Sequence, residues 1–358
     1  MKEHFTFRTT LLIMLIGLLF YYMPAQAQEK SIADTLVLTY EEGEGFFDNE
    51  EVLDITIKFD ITRFMREKPD EYMDAVITFY HSPDDSVCYD IKLKSRGERR
   101  RELCALPPIR LSFKNTSTVY GDIDSITNIK MVTHCNSPSS YDEYLLKEYL
   151  LYKMYNLVTE YSFRVRLLRI KYIDTGARGK YYSRRGFMIE PMDLLEKRLG
   201  VFEIENVYLR YNNLVPDILD RMVVFQYMVG NTDWQVITYH NIKIVKPVDQ
   251  LLGIPIPYDF DYSGFVNTTY AVPAPVFPIK NVKQRYFMGA CRPDSTYEKI
   301  IGEFMDNKDK FFHIMDGCEL LPEKSAKRIN DYLVDFFRLC ENKRIIKLFR
   351  MECEDRQI

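Results

Sequence analysis

The chain has 358 residues, 46% of them hydrophobic, with 48 Lys and Arg against 52 Asp and Glu and a formal net charge of −4. That apolar content suffices for a large core, and the mildly acidic balance excludes a chain whose global charge would recruit nucleic acid. Seven cysteines, odd in number and with no CxxC pair, exclude the common zinc signatures and leave at least one thiol without an intrachain partner.

In chain order, Lys2 and Arg8 precede an apolar run, Leu11 to Met23, and Pro24-Ala25-Gln26-Ala27 supplies a small-x-small cleavage pattern. The run is shorter than the roughly 20 residues that span a bilayer core. The expectation is a signal peptide over residues 1–27 and an exported chain, periplasmic or secreted, without a stable membrane anchor after cleavage. Thr35 to Thr39 and Leu53 to Phe59 alternate apolar and polar residues as half-buried strands do, and a short helix is expected from Asp60 to Arg66. Strands follow at Tyr89–Lys94, Pro108–Phe113 and Asn128–Thr133, the first ending in a charged loop, Ser95 to Arg101. A long helix runs from Tyr141 to about Leu157, with Ser140 and Glu143 spaced as a capping box. Strands Phe163–Ile173 and Gly186–Glu190 come next. A helix over Pro216–Val229 has proline at its start and Gly230 at its stop. Two short strands, His240–Val245 and Ile254–Tyr258, lead into the acidic turn Asp259 to Gly264, and Ser295 to Arg350 reads as packing helices.

Phosphoryl transfer needs groups that cover phosphates, a cation on them, and a carboxylate that orients or deprotonates the nucleophile. Asp233 follows a helix on a polar loop and suits the last role; an Asx-turn after the helix is the alternative, and the local sequence alone favours it. Asn241 follows it, with an amide oxygen that can ligate a metal. Asp259 and Asp261, two apart in an extended segment, point to one side and suit Mg²⁺ or Mn²⁺; a solvated acidic turn is the alternative. Lys130, mid-strand just before the long helix, can reach phosphates if Glu148 on that helix fixes it; an edge-strand lysine on a solvated face is the alternative. Glu148 borders the apolar Leu145/Tyr149/Tyr152 stripe and competes for this role with Glu143, which the capping box explains. Arg96 and Gly97, with Arg99, Arg100 and Arg101, form either a phosphate cradle or a solvated basic tip. The apolar strand Phe187 to Glu190, running into Pro191, could line an adenine pocket.

The stretch Gly230-Asn231-Thr232-Asp233-Trp234 resembles the GN-x-DW loop of the CotH-type (spore-coat-protein-H-like) kinases. Pro257-Tyr258-Asp259-Phe260-Asp261 resembles their P-W-D-x-D metal motif. Arg96-Gly97 followed by Pro108 to Phe113 is similar to their RG…R-L-x-F strand pair. The likeness covers about residues 90–270. It implies an α+β, protein-kinase-like bilobal fold, with a β-rich N-terminal lobe over 28–192 and a mainly helical C-terminal lobe over 193–358. It further implies Asp233 as catalytic aspartate, Asn241, Asp259 and Asp261 as metal residues, and ATP or another nucleotide with Mg²⁺ or Mn²⁺ as cofactors. Lys130, Glu148, Arg96, Gly97 and Glu190 are the expected nucleotide-binding residues. Three departures stand out: Asn241 lies farther from the aspartate than in the family, Tyr258 replaces tryptophan, and Gly97 alone represents the glycine-rich loop.

The expected function is phosphoryl transfer to a protein of the cell envelope or a secreted protein, with no nucleic-acid partner. Two alternatives stay open: a catalytically inactive kinase-like binding or scaffold protein, and a metal-dependent phosphoester hydrolase built on Asp233, His240, Asp259 and Asp261. The sequence carries no statement of oligomeric state.

Overall fold

The computed structural model describes residues 45–82, 84–113, 127–177, 179–205 and 207–356. The expected signal peptide over 1–27 and the strand Thr35–Thr39 lie outside them. Residues Gly45–Ile358 form one compact unit.

The first three strands, β1 (Leu53–Phe59), β2 (Met73–Ser82) and β3 (Asp85–Ser95), form an antiparallel meander. Helix α1 (Ile61–Glu67) separates β1 from β2, and the Asp60 side chain caps it by accepting from the Arg63 amide. The chain continues through α2 (Glu98–Leu103), β4 (Ile109–Ser112), β5 (Asn128–Val132) and the long helix α3 (Ser139–Asn156). Then come β6 (Val165–Asp174) and β7 (Lys180–Ile189). The seven strands close into a barrel in the order β1-β2-β3-β4-β5-β7-β6, and parallel pairing of β1 with β6 makes the seam. Alternation along each strand turns one side inward: Ile55, Ile57, Ile77, Leu93, Leu111, Ile129, Leu168 and Ile170 fill the interior.

This corrects the expected fold class. The chain is built on a closed seven-stranded mixed β-barrel with a smaller helical part, not on a protein-kinase-like bilobal fold with a helical C-terminal lobe. The reason lies in a pairing of long sequence separation: β1 lies beside β6, with Ile57 opposite Tyr172, and no local pattern in either strand states it. The order of strands and helices over residues 90–270 is compatible with either architecture.

After the barrel come α4 (Met192–Leu199), β8 (Val201–Glu203), α5 (Pro216–Val229), β9 (Ile242–Pro247) and β10 (Ile254–Pro257). The last three strands make a small sheet ordered β10-β9-β8. Four helices complete the described chain: α6 (Asp294–Asp306), α7 (Lys308–Asp316), α8 (Glu323–Glu341) and α9 (Arg344–Arg356). They pack with α3, α5 and the sheet around a second core that includes Tyr152, Phe225, Trp234 and Phe260.

Local expectations met three corrections. The charged loop after β3 is helix α2, entered through Gly97 at φ 79°. The capping box does not form: α3 starts at Ser139 after Pro138 without a side-chain cap, and Glu143 faces Arg328 at 3.4 Å. The segment around Asp259 is not extended, because that residue takes φ 63°. Two disulfides, Cys104–Cys135 and Cys291–Cys353, leave Cys88, Cys318 and Cys340 as free thiols. No helix among the described residues is long and apolar enough to cross a membrane.

Candidate functional site

Helix α5 ends at Gly230, whose φ of 65° turns the chain sharply. A Cβ there would stand 2.0 Å from the Tyr332 hydroxyl, so the turn needs glycine. Asn231, buried next to it, accepts from the Asp233 amide at 3.0 Å and donates to Gln226 Oε1 at 3.0 Å. The Asx-turn therefore belongs to Asn231, and the Asp233 carboxylate is left for other partners. His240 Nε2 lies 3.0 Å from Asp233 Oδ1, and Asn241 Nδ2 donates to Asp233 Oδ2 at 3.0 Å and to its carbonyl at 2.8 Å. His240 reaches this place through a tight return in which Tyr239 and Asn241 both adopt positive φ.

The acidic turn is tied to this loop by backbone bonds from Gly264 to Gly230 and from Phe265 to Val229. The Tyr152 hydroxyl, on α3, accepts from the Asp259 amide at 2.9 Å. Across from the turn, α2 sends Arg100 inward. Its Nη2 donates to Glu148 Oε2 and to Asp259 Oδ1, each at 2.8 Å, and its Nε donates to Asp261 Oδ2 at 2.9 Å. Tyr270 donates to the same Asp261 oxygen at 2.9 Å. Arg100 and Asp261 are 8% and 4% exposed.

Three carboxylates around one guanidinium leave an excess of negative charge out of water. Burial pushes Glu148 up to about 8; Arg100 opposes this, and Asp261 and Asp259 add to it. Burial likewise raises Asp261 to about 6 against the pull of Arg100. For Asp259, Arg100 and then Arg96 outweigh burial and hold its carboxyl below the usual range.

Arg96, Gly97, Arg99, Arg100, Asp233, His240, Asn241, Asp259 and Asp261 line one cleft of about 580 Å³. The structure thus brings together most of the residues singled out in the sequence. Lys130 and Glu148 are not a pair: Arg100 takes Glu148, and Lys130 Nζ lies 5.2 Å from the centroid of the Tyr258 ring. Burial, then Arg96, Lys243 and Arg110, lowers Lys130 to about 7. Arg110 lies directly opposite Lys130 across β4 and β5, and like charges so placed repel. Among the described residues, neither these two nor Arg96 makes a salt bridge to a carboxylate.

Glu190 does not line the cleft. Its two oxygens are taken by Arg164 (2.7 and 3.0 Å to Oε1) and Arg198 (2.9 Å to Oε2 and 3.0 Å to Oε1), which fix the end of β7 to α4. Read from sequence, Arg100 stays inside a basic run, and His240 has a place only in the hydrolase alternative. A signal for Arg100 was present: it stands four residues before Cys104, so a helix there puts both on one face.

No protein-family model matches the chain, and no curated protein matches it.

Proposed function

We propose that this protein is a phosphotransferase whose cleft takes the phosphates of a nucleotide and passes a phosphoryl group to a hydroxyl-bearing protein acceptor. One observation carries the reading: the Asp233–His240–Asn241 cluster and the arginines Arg96 and Arg100 line the same cleft. Asp233 takes the hydroxyl proton, and His240 and Asn241 hold its carboxylate in place. The acceptor oxygen attacks phosphorus as the bond to the leaving phosphate breaks. Arg96, with Lys130 and Arg110 behind it, stabilises the charge that moves onto the leaving group. The likeness of the two loops to CotH-type kinases supports the same reaction, although the barrel differs from a kinase fold.

Asp259, Asp261 and Glu148 are hard oxygen donors of the kind that Mg²⁺ and Mn²⁺ prefer. As arranged, all three are bonded to Arg100, and Asn241 is bonded to Asp233. The set does not fit a divalent cation while Arg100 is in place, so no step is routed through one.

That same arginine favours a second reading, a nucleotide-binding protein without turnover. One comparison separates the two. Phosphoryl transfer from labelled ATP or GTP to envelope proteins is expected to fall at least about a hundredfold in Asp233→Ala, the usual effect of losing a general base. The melting-temperature rise given by the nucleotide should persist in the same variant. Transfer that is undiminished in Asp233→Ala would remove the assignment; a thermal shift with no transfer at all would select the binding protein.

A further inference from the structure

We propose that Arg100 is the resident cation of this site: its guanidinium stands between Asp259 and Asp261 where a divalent ion would sit, and the cleft takes its phosphate-bearing ligand without one. The ligand half of this inference rests on the reading above; the cation half does not.

The geometry is that of a built site. A guanidinium carries donors in a rigid fork that matches carboxylates. Here Nη2 bridges Glu148 and Asp259 while Nε takes Asp261. Each contact is 2.8 or 2.9 Å, within the charge-assisted range. An ion bound by the same oxygens would touch the guanidinium and be repelled by it.

Arg100 is also anchored at its backbone. Helix α2 runs into Cys104, which is bonded to Cys135. The next residues are pinned to the same segment: the Ala105 amide donates to Asn136 Oδ1 at 2.9 Å, the Leu106 amide to the Cys135 carbonyl at 2.9 Å, and Thr133 Oγ1 to the Leu106 carbonyl at 2.8 Å. The arginine is therefore delivered to the carboxylates by a stapled element.

Glu148 Oε1 supplies an independent sign that the pocket is made for positive charge. It is buried and has no hydrogen-bond partner. One oxygen each of Glu148, Asp259 and Asp261 faces the guanidinium, and such oxygens are the hard donors a divalent cation prefers; as they stand, no group of three such side chains among the described residues could hold a metal ion.

The test is a Mn²⁺ titration of the full chain without nucleotide, followed by electron paramagnetic resonance of the free ion. Wild type is expected to take up no more Mn²⁺ than Asp259→Asn, and Arg100→Ala to gain a saturable site that the double variant with Asp259→Asn loses. Arg100→Lys, which keeps a cation, should gain none. Wild-type uptake that Asp259→Asn abolishes would overturn the proposal, and it needs no folded Arg100 variant. A folded Arg100→Ala that binds no Mn²⁺ would overturn it as well. A parallel thermal-shift series with ATP should give the same rise with EDTA as with Mg²⁺. A rise that disappears in EDTA counts against metal-free binding, whereas no rise with any nucleotide counts against the phosphotransferase reading and leaves the Mn²⁺ titration to decide Arg100.

Discussion

At the scale of single residues, Lys130 shows how neighbours set a charge. The residue is half-buried with its amine over Tyr258, and burial with Arg96, Lys243 and Arg110 lowers it from an ordinary 10.5 to about 7. Folding thus favours the neutral form. The stability contribution is full above about 10.5 and is lost as the pH falls through 7. Lys130→Met should raise the urea midpoint at pH 7, by an amount that shrinks towards pH 10. An anionic ligand restores the charge, so binding takes up a proton and weakens as the pH rises above 7. Calorimetry in buffers of different ionisation enthalpy measures that proton; the same uptake in wild type and Lys130→Met would refute it. Arg100 is the opposite case, a cation that three carboxylates hold charged in spite of burial.

The elements around the cleft were legible to different degrees. Helix α5 matches its expected bounds, because proline at its start and Gly230 at its stop are local signals. The acidic turn was found because two carboxylates inside an apolar stretch are conspicuous, but its backbone was not, since the positive φ of Asp259 depends on what packs around it. Helix α2 read as a loop because six residues rich in arginine show no apolar stripe; the disulfide at Cys104 and the buried carboxylates hold it in place. Gly230→Ala tests how far the loop depends on its turn. The left-handed conformation alone costs a non-glycine residue roughly 1–3 kcal/mol, and the new methyl meets Tyr332. A lower urea midpoint and a displaced Asp233, with loss of the nucleotide-dependent thermal shift, are expected. An unchanged midpoint would mean that the turn relaxes at no cost.

For the whole molecule, the barrel carries Arg110 on β4 and Lys130 on β5, with Arg96 just past the end of β3, and its closure rests on β1 lying between β2 and β6. Ile57 is fully buried on β1, opposite Ile77 on one side and Tyr172 on the other. Ile57→Ala should cost about 2–5 kcal/mol by urea unfolding, as large-to-small changes in packed cores do. A cost near zero would mean that the seam is not part of the stabilising core. By itself the sequence determined the strands and helices with local signals, and the residues able to carry charge chemistry, Asp233, Asn241, Asp259 and Asp261 among them. Side-chain alternation, caps and glycine turns are properties of a few adjacent residues. Only the tertiary structure decided that seven strands close into a barrel, that Glu148 answers to Arg100 and not to Lys130, and that Glu190 joins two arginines away from the cleft. Those outcomes follow from pairings between segments far apart in the chain, where burial and charge balance choose among partners that the local sequence leaves equivalent.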